Sequence, residues 1–367
     1  MKNILCLSWC DADDVINYGQ ILQGCAMMYI LRKYSAGKII YTSYLPRNIK
    51  AKIVYYMAHF NPFSGHLQAY IRTSKFIKLF TKKFEIRFHQ VSNKNVLDKL
   101  AYGCDLLLGG SDQIWHPQNY DKYYFLDFGP NNLVRASYAT SLPKSKIETQ
   151  FLKEIKLIKE SLRKIDYISV REMGSVDFIS ALSGKKVLQV LDPTYLIPKD
   201  FWTQRLDKFK LPSDYIFVYI PNGMDKKMEN YIDILKQKSG CREVLILMTR
   251  GKYFGTIGQK LKYVGVGQFL SIIKNSSIVF TSSFHAVVFS TIFHKEFWCY
   301  DVPNKQRGED IRLRDLLKLL EIENRLIKDI RLIDVTNKIN YDKVDVILDE
   351  QKKISISYLN KIFESID

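Results

Sequence analysis

Nowhere in the 367 residues does an apolar run approach the roughly 20 positions needed to cross a bilayer. The longest, Tyr215 to Ile220 and Val244 to Met248, fall far short, so no transmembrane helix is expected. The opening residues, Met1 to Leu7, give about five apolar positions before Asp11, Asp13 and Asp14, too short and too acidic for a secretory signal. The protein is therefore expected to stay in the cytosol. Metal-type cysteine spacing is also missing: Cys6, Cys10, Cys25, Cys104, Cys241 and Cys299 form no C-x-x-C pair and have no histidine pattern beside them. Buried reduced thiols are expected, and no metal site. H-E-x-x-H, P-loop and G-x-S-x-G motifs are absent, and Gly265-Val266-Gly267 lacks the third glycine of a dinucleotide fingerprint. Metalloprotease, ATPase, hydrolase and dinucleotide readings lose their usual support. No internal repeat and no low-complexity tract occurs.

Acidic residues are the other shortage. Thirty-eight Asp and Glu face 55 Lys and Arg, a formal net charge of +17. Such an excess suits nucleic acid, an anionic membrane surface or a phosphorylated substrate, and the sign alone does not choose. The 42 residues from Ile49 to Gln90 hold Lys50, Lys52, Arg72, Lys75, Lys78, Lys82, Lys83 and Arg87 against Glu85 alone. What is present otherwise is an ordinary globular balance, 47% hydrophobic and 25% charged. A chain longer than the ~250 to 300 residues of a single core is expected to form two domains.

Apolar patterning places strands at Ile4–Ser8, Lys38–Tyr44, Cys104–Leu108, Arg135–Ala139, Tyr167–Val170 and Val187–Leu191, with helices at Gln20–Tyr34, Val96–Tyr102 and Ile147–Arg163. The alternation weakens between Pro198 and Pro212 and then restarts, with strands expected at Tyr215–Ile220, Glu243–Met248, Leu261–Val264 and Ile278–Phe280. This is an α/β pattern of parallel sheets covered on both faces. The expected division is 1–205, 206–343 and a C-terminal helical segment 344–367 that packs back on the first domain. Two doubly wound halves imply a ligand cleft at the carboxyl ends of their strands.

Four loops directly follow predicted strands. In Asn17-Tyr18-Gly19-Gln20 the glycine admits close backbone approach and the helix start offers free amides to an anion, although an ordinary turn has the same look. Gly109-Gly110-Ser111-Asp112-Gln113-Ile114-Trp115 would suit a sugar: Asp112 and Gln113 for hydroxyls, Trp115 for stacking on a pyranose. Equally, Ser111 or Asp112 caps a helix and Trp115 fills the core. Arg171, in Ser169-Val170-Arg171-Glu172, could grip a carboxylate or phosphate, or pair with Glu172 or Asp192. In Thr281-Ser282-Ser283-Phe284-His285-Ala286, His285 stands at a strand-to-helix turn among hydroxyls, placed for general acid or base chemistry unless it is a satisfied, partly buried histidine. His59, His66, His89, His116 and His294 have no comparable surroundings.

Taken together, the segments Asn17–Gln23, Gly109–Trp115, Tyr124–Phe128, Ser137–Ala139, Ile168–Glu172, Leu191–Thr194 and Thr281–Ala286 resemble the polysaccharide pyruvyl transferase family, in family order. The resemblance implies two Rossmann-like domains facing a cleft, similar to the GT-B glycosyltransferase architecture. It also implies an enzyme that moves pyruvate from phosphoenolpyruvate onto two hydroxyls of a bacterial surface sugar as a cyclic ketal, with no cofactor beyond that co-substrate. By motif position His285 and Arg171 are the implied catalytic pair, with Ser282, Ser283, Phe284 and Arg312 beside them on the donor. Asn17, Tyr18, Gly19, Gln23, Ser111, Asp112, Gln113 and Trp115 are assigned by position to the acceptor. Many relatives carry an arginine where this chain has Ser283, so either another cation replaces it, from among Arg250, Lys252, Arg307 and Arg312, or the donor differs. A sugar-nucleotide glycosyltransferase on the same architecture is the competing enzyme reading, and a nucleic-acid module finds no motif.

The basic stretch reads as an amphipathic helix, with Tyr70, Phe76, Ile77, Phe80 and Phe84 on one side and Arg72, Lys75, Lys78, Lys82 and Lys83 on the other. Two outcomes are open: the helix lies in an anionic membrane interface and presents the cleft to a lipid-linked oligosaccharide, or it packs on its own domain with its lysines in solvent.

Overall fold

The computed structural model describes residues 2–10, 16–44, 65–117, 120–142, 152–249, 255–300, 311–329, 331 and 333–367. Its first sheet contains β1 (Ile4–Leu7), β2 (Ile39–Tyr44), β3 (Phe88–Val91), β4 (Leu106–Gly109) and β5 (Val134–Ser137), all parallel, in the order β3-β2-β1-β4-β5. β1 and β4 are apolar at every buried position because both faces are covered, as central parallel strands require. A parallel pair, β6 (Ile168–Val170) and β7 (Val187–Gln189), is bridged to that edge through Ala136–Tyr167 and Thr140–Val170. The second sheet repeats the plan with β8 (Tyr215–Tyr219), β9 (Glu243–Leu247), β10 (Gln259–Lys260), β11 (Ile278–Thr281) and β12 (Glu296–Cys299), ordered β10-β9-β8-β11-β12. These are two Rossmann-like sheets, in each of which the chain reverses direction beside the first strand. The α/β class expected from the sequence is what the structure contains.

The helices that matter for the site are α1 (Tyr18–Tyr34), α2 (Gly65–Lys82), α3 (Val266–Asn275), α4 (Phe284–Ile292), α5 (Arg312–Leu319) and α6 (Tyr341–Glu364). Asn17 caps α1 by accepting from the Gln20 amide at 3.4 Å. The helix behind it is apolar almost all round and buried over most of its length, because it is packed on several sides. Tyr18 stacks on Phe269 of α3 at 4.2 Å, meets the Tyr219 ring edge-on and donates its hydroxyl to the Val264 carbonyl at 2.8 Å. This ties the start of α1 to the second sheet. α6 reaches the first sheet: Tyr358 donates to the Ser137 carbonyl at 2.7 Å and Ser355 accepts from the Leu191 amide at 3.0 Å.

On α2 the structure shows what the aromatic side packs against. Ile77, Phe80 and Phe84 are buried and Phe76 packs against the same core, with Phe84 against Phe201 and Trp202. Lys83 bonds Asp207 and the Arg205 carbonyl, and Arg72 lies 3.5 Å from the Tyr263 ring centroid. Ile77, Phe80 and Phe84 are thus taken up by the protein's own core, while Ile71 and Leu79 of α2 are exposed. Lys50, Lys52 and His59 lie outside the described residues. Among the described residues no helix is long and apolar enough to cross a membrane.

Candidate functional site

Five strand ends converge. Ser8 follows β1, Ser111 follows β4, Arg171 follows β6 and Asp192 follows β7; β11 leads through Ser283 into α4, which carries His285 in its first turn. Their meeting point is one carboxylate oxygen. Asp192 Oδ2 accepts from Ser111 Oγ at 3.0 Å and from Arg171 Nη1 at 3.0 Å, and lies 3.4 Å from His285 Nε2, at ion-pair distance without hydrogen-bond alignment. Its Oδ1 accepts from the Thr194 amide at 3.1 Å and hydroxyl at 2.7 Å. Burial opposes charge on Asp192, but His285, Arg171 and Thr194 hold its carboxyl well below the usual carboxylate range. The Asp192 carboxylate is thus a fixed negative post shared by Arg171 and His285.

Arg171 is almost wholly buried. Its Nε donates to Glu172 Oε1 at 3.1 Å, and the guanidinium lies 4.1 Å from the Phe284 ring centroid. Both pairings that competed with a ligand role therefore occur, yet Nη2 is buried and has no partner. Glu172 Oε2 and Asp112 Oδ2 are in the same state. Buried polar groups in native proteins are nearly always bonded, so their concentration here marks a place built to receive something polar. Burial pushes Glu172 and Asp315 above their ordinary carboxyl ranges. Each keeps its proton to higher pH than a free side chain. The cleft is lined by Arg171, Glu172, Phe284, Arg312, Asp315 and neighbours.

His285 rests on α1. A Cβ placed on Gly19 would fall 2.1 Å from Nδ1, so only glycine lets the helix come this close. Ser283 caps α4, accepting from the Ala286 amide at 3.4 Å, and its own amide donates to Thr281 Oγ1 at 3.0 Å. The N-terminal turns of α1 and α4 meet at the histidine, two positive dipole ends facing one site.

Of the residues expected on the donor, Arg171, Phe284, His285 and Arg312 come together. Ser282 is bonded through its amide to the Tyr219 carbonyl, and Ser283 acts as the helix cap. Gln113 faces Arg312, and with its amide turned to the orientation that satisfies both groups its oxygen accepts from Nε at 3.1 Å and from Nη1 at 3.3 Å. Arg250, Lys252 and Arg307 lie outside the described residues. On the acceptor side two expectations are corrected. Trp115 is fully buried, stacked on Phe125 and donating Nε1–H to the Tyr124 carbonyl at 3.0 Å, so its face is not offered to a sugar. Gln23 is also fully buried, spanning Ser8, the Trp9 carbonyl and the Tyr41 hydroxyl. Ser111 and Gln113 belong to the Asp192 and Arg312 networks instead of an open sugar subsite. Asp112 holds φ 136°, a region L-residues rarely adopt, and accepts from the Gln113 amide at 2.7 Å. The centrality of Asp192 escaped sequence reasoning, which saw it only as a counter-charge. Among the described residues no His, Cys, Asp and Glu cluster could hold a metal ion.

A sequence model of the family described as polysaccharide pyruvyl transferase matches residues 17–304. No curated protein matches the chain in sequence. Solved structures similar to it include a Thermobaculum terrenum O-GlcNAc transferase mutant, at 10% identity and TM-score 0.43, where the likeness covers 100% of this chain and 64% of that one. A putative UDP-N-acetylglucosamine 2-epimerase from Listeria monocytogenes is similar at 9% identity over 94% of each chain, TM-score 0.49. A UDP complex of S. aureus MnaA is similar at 12% identity over 95% of this chain and 88% of that one, TM-score 0.49.

Proposed function

The chain belongs to the polysaccharide pyruvyl transferase family, an enzyme family, and on that footing we propose that it transfers the pyruvyl group of phosphoenolpyruvate to two hydroxyls of one sugar. The sugar belongs to a bacterial surface polysaccharide or its lipid-linked precursor; the product is a cyclic ketal, and phosphate is released. One observation carries the reading: Arg171 and His285, supplied by different sheets, share Asp192 while Arg171 Nη2 stays buried and unpartnered. A small polyanion would complete that guanidinium.

In this reading Arg171 Nη2 grips a carboxylate or phosphate oxygen of the donor, and Arg312, steadied by Gln113, supplies the cation that Ser283 lacks. The helix starts at Gly19 and Ser283 add amide dipoles to the same anion. His285, as imidazolium, gives its proton to the methylene carbon, and C2 becomes an oxocarbenium-like centre. One sugar hydroxyl bonds to C2 and returns its proton to His285. The C2–O bond to phosphate then breaks, the second hydroxyl closes the ring, and its proton leaves with phosphate. The negative charge on the departing phosphate is what these fixed dipoles and cations stabilise. Asp192 touches neither reactant; it positions the histidine and offsets its charge.

Phosphoenolpyruvate should raise the melting temperature of the protein, and His285→Ala should lower phosphate release with a glycan acceptor by at least ~10²-fold. Protection by a nucleoside diphosphate but not by phosphoenolpyruvate would replace this reading with sugar-nucleotide glycosyl transfer.

A further inference from the structure

A cavity of about 690 Å³ opens between α2 and β3, apart from the Asp192 cluster. Its volume lies within the range of small-molecule sites. Among the described residues, Lys78, Lys82 and Arg87 stand on its wall against one carboxylate, Glu85. Among the described residues none of these three cations is in an ion pair, whereas the neighbouring Lys83 is neutralised by Asp207. Ser74, also on the wall, has a buried hydroxyl with no hydrogen-bond partner. The field is felt at His89, which is pushed down by burial and then by Arg87 and Lys38. Cations left unpaired beside a buried, unsatisfied hydroxyl fit an anionic ligand; among the described residues three cations face one acid, and a pyrophosphate diester carries two negative charges to match that excess.

The cavity is also near the chemistry. Cys10 lines it, and two residues back Ser8 donates to the Ser111 carbonyl inside the Asp192 cluster. Two residues of chain span at most ~7 Å. We infer that this cavity binds the phosphate or pyrophosphate end of the acceptor, so that the attached sugar lies toward Ser8 and His285. The inference rests on the transfer reaction proposed above. A sugar on a lipid pyrophosphate and a sugar nucleotide carry the same pyrophosphate diester, and the test separates them.

Inorganic pyrophosphate, farnesyl pyrophosphate and UDP are titrated calorimetrically into the full chain, into Lys78→Ala/Lys82→Ala and into Arg87→Ala. Substitution of these exposed side chains should leave the melting temperature unchanged. Pyrophosphate should bind the unaltered protein, at least tenfold more weakly to each variant, while the thermal shift by phosphoenolpyruvate, which reads the His285 cluster, stays the same in all three. Tighter binding of farnesyl pyrophosphate than of UDP supports a lipid-linked acceptor, and the reverse supports a nucleotide-linked one. The site is refuted if none of the three probes binds, if the variants bind as tightly as the parent, or if phosphatidylglycerol vesicles displace pyrophosphate as a merely charged surface would. Loss of the phosphoenolpyruvate shift in the parent would instead overturn the proposed reaction and leave the pyrophosphate result standing.

Discussion

Gly19→Ala places one methyl group against the ring of His285. The new Cβ would lie 2.1 Å from Nδ1 and 2.7 Å from Cγ and Cε1, where ordinary contact begins near 3.4 Å. The ring must therefore withdraw by about 1.3 Å, the difference between ordinary contact and the built position. The helix cannot give way instead, since α1 is buried along its length and Tyr18 is held by Val264 and Phe269. Misplacing a catalytic group by ~1 Å costs about 10²-fold in rate, or ~2.7 kcal/mol of barrier. Local helix propensity works the other way, because alanine in a helix is better than glycine by up to ~1 kcal/mol. The expected signature is a protein that melts within a few degrees of the parent, with kcat for phosphoenolpyruvate-dependent phosphate release reduced about 10²-fold. Activity within threefold of the parent would show that the contact between Gly19 and His285 does not set the position of the histidine.

Asp112→Gly should relieve the strain of φ 136° and stabilise the protein by about 1 kcal/mol in urea unfolding while lowering turnover, since backbone strain of ~1–3 kcal/mol is usually kept for function; a loss of stability would refute it. Trp115→Leu removes the stacking on Phe125 and the bond to the Tyr124 carbonyl. It should cost ~2–4 kcal/mol without changing the acceptor KM of the folded fraction, and a raised KM at unchanged stability would restore a sugar-stacking role. Glu172 has its folded pKa raised. Its contribution to stability is complete below the ordinary glutamate value and is lost as pH rises through the folded value. In Glu172→Gln the fall in unfolding free energy with rising pH should be shallower, and an unchanged slope would contradict the burial argument.

The strands that could be read in advance are the ones buried on both faces. Ile4–Leu7, Leu106–Gly109, Tyr215–Tyr219 and Ile278–Thr281 are continuous apolar runs, and packing on both sides demands that composition. The edge strands β3, β10 and β12 were not legible, whereas the edge strand β5 was. β3 carries His89 and Gln90 in solvent, and β10 is the pair Gln259-Lys260, just ahead of the apolar stretch Leu261–Val264 where a strand was expected. β12, Glu296–Cys299, follows α4 after three residues and was hidden by that helix's apolar pattern. In the site, Arg171 and His285 were visible because each sits just past a strand. Trp115 and Gln23 were misjudged because a loop or helix position does not tell which way a side chain turns. Asp192 draws its partners from positions 111, 171, 194 and 285, which only the fold brings together.

Mass spectrometry of the glycan product tests the central claim most directly. The purified protein is incubated with phosphoenolpyruvate and de-pyruvylated surface glycan, and free phosphate is counted in the same sample. The expected result is a mass increase of pyruvic acid less one water on a single sugar, one phosphate released per ketal formed, and neither with His285→Ala. Phosphate released without that mass gain, or a gain of a whole sugar supplied by a sugar nucleotide, would contradict it.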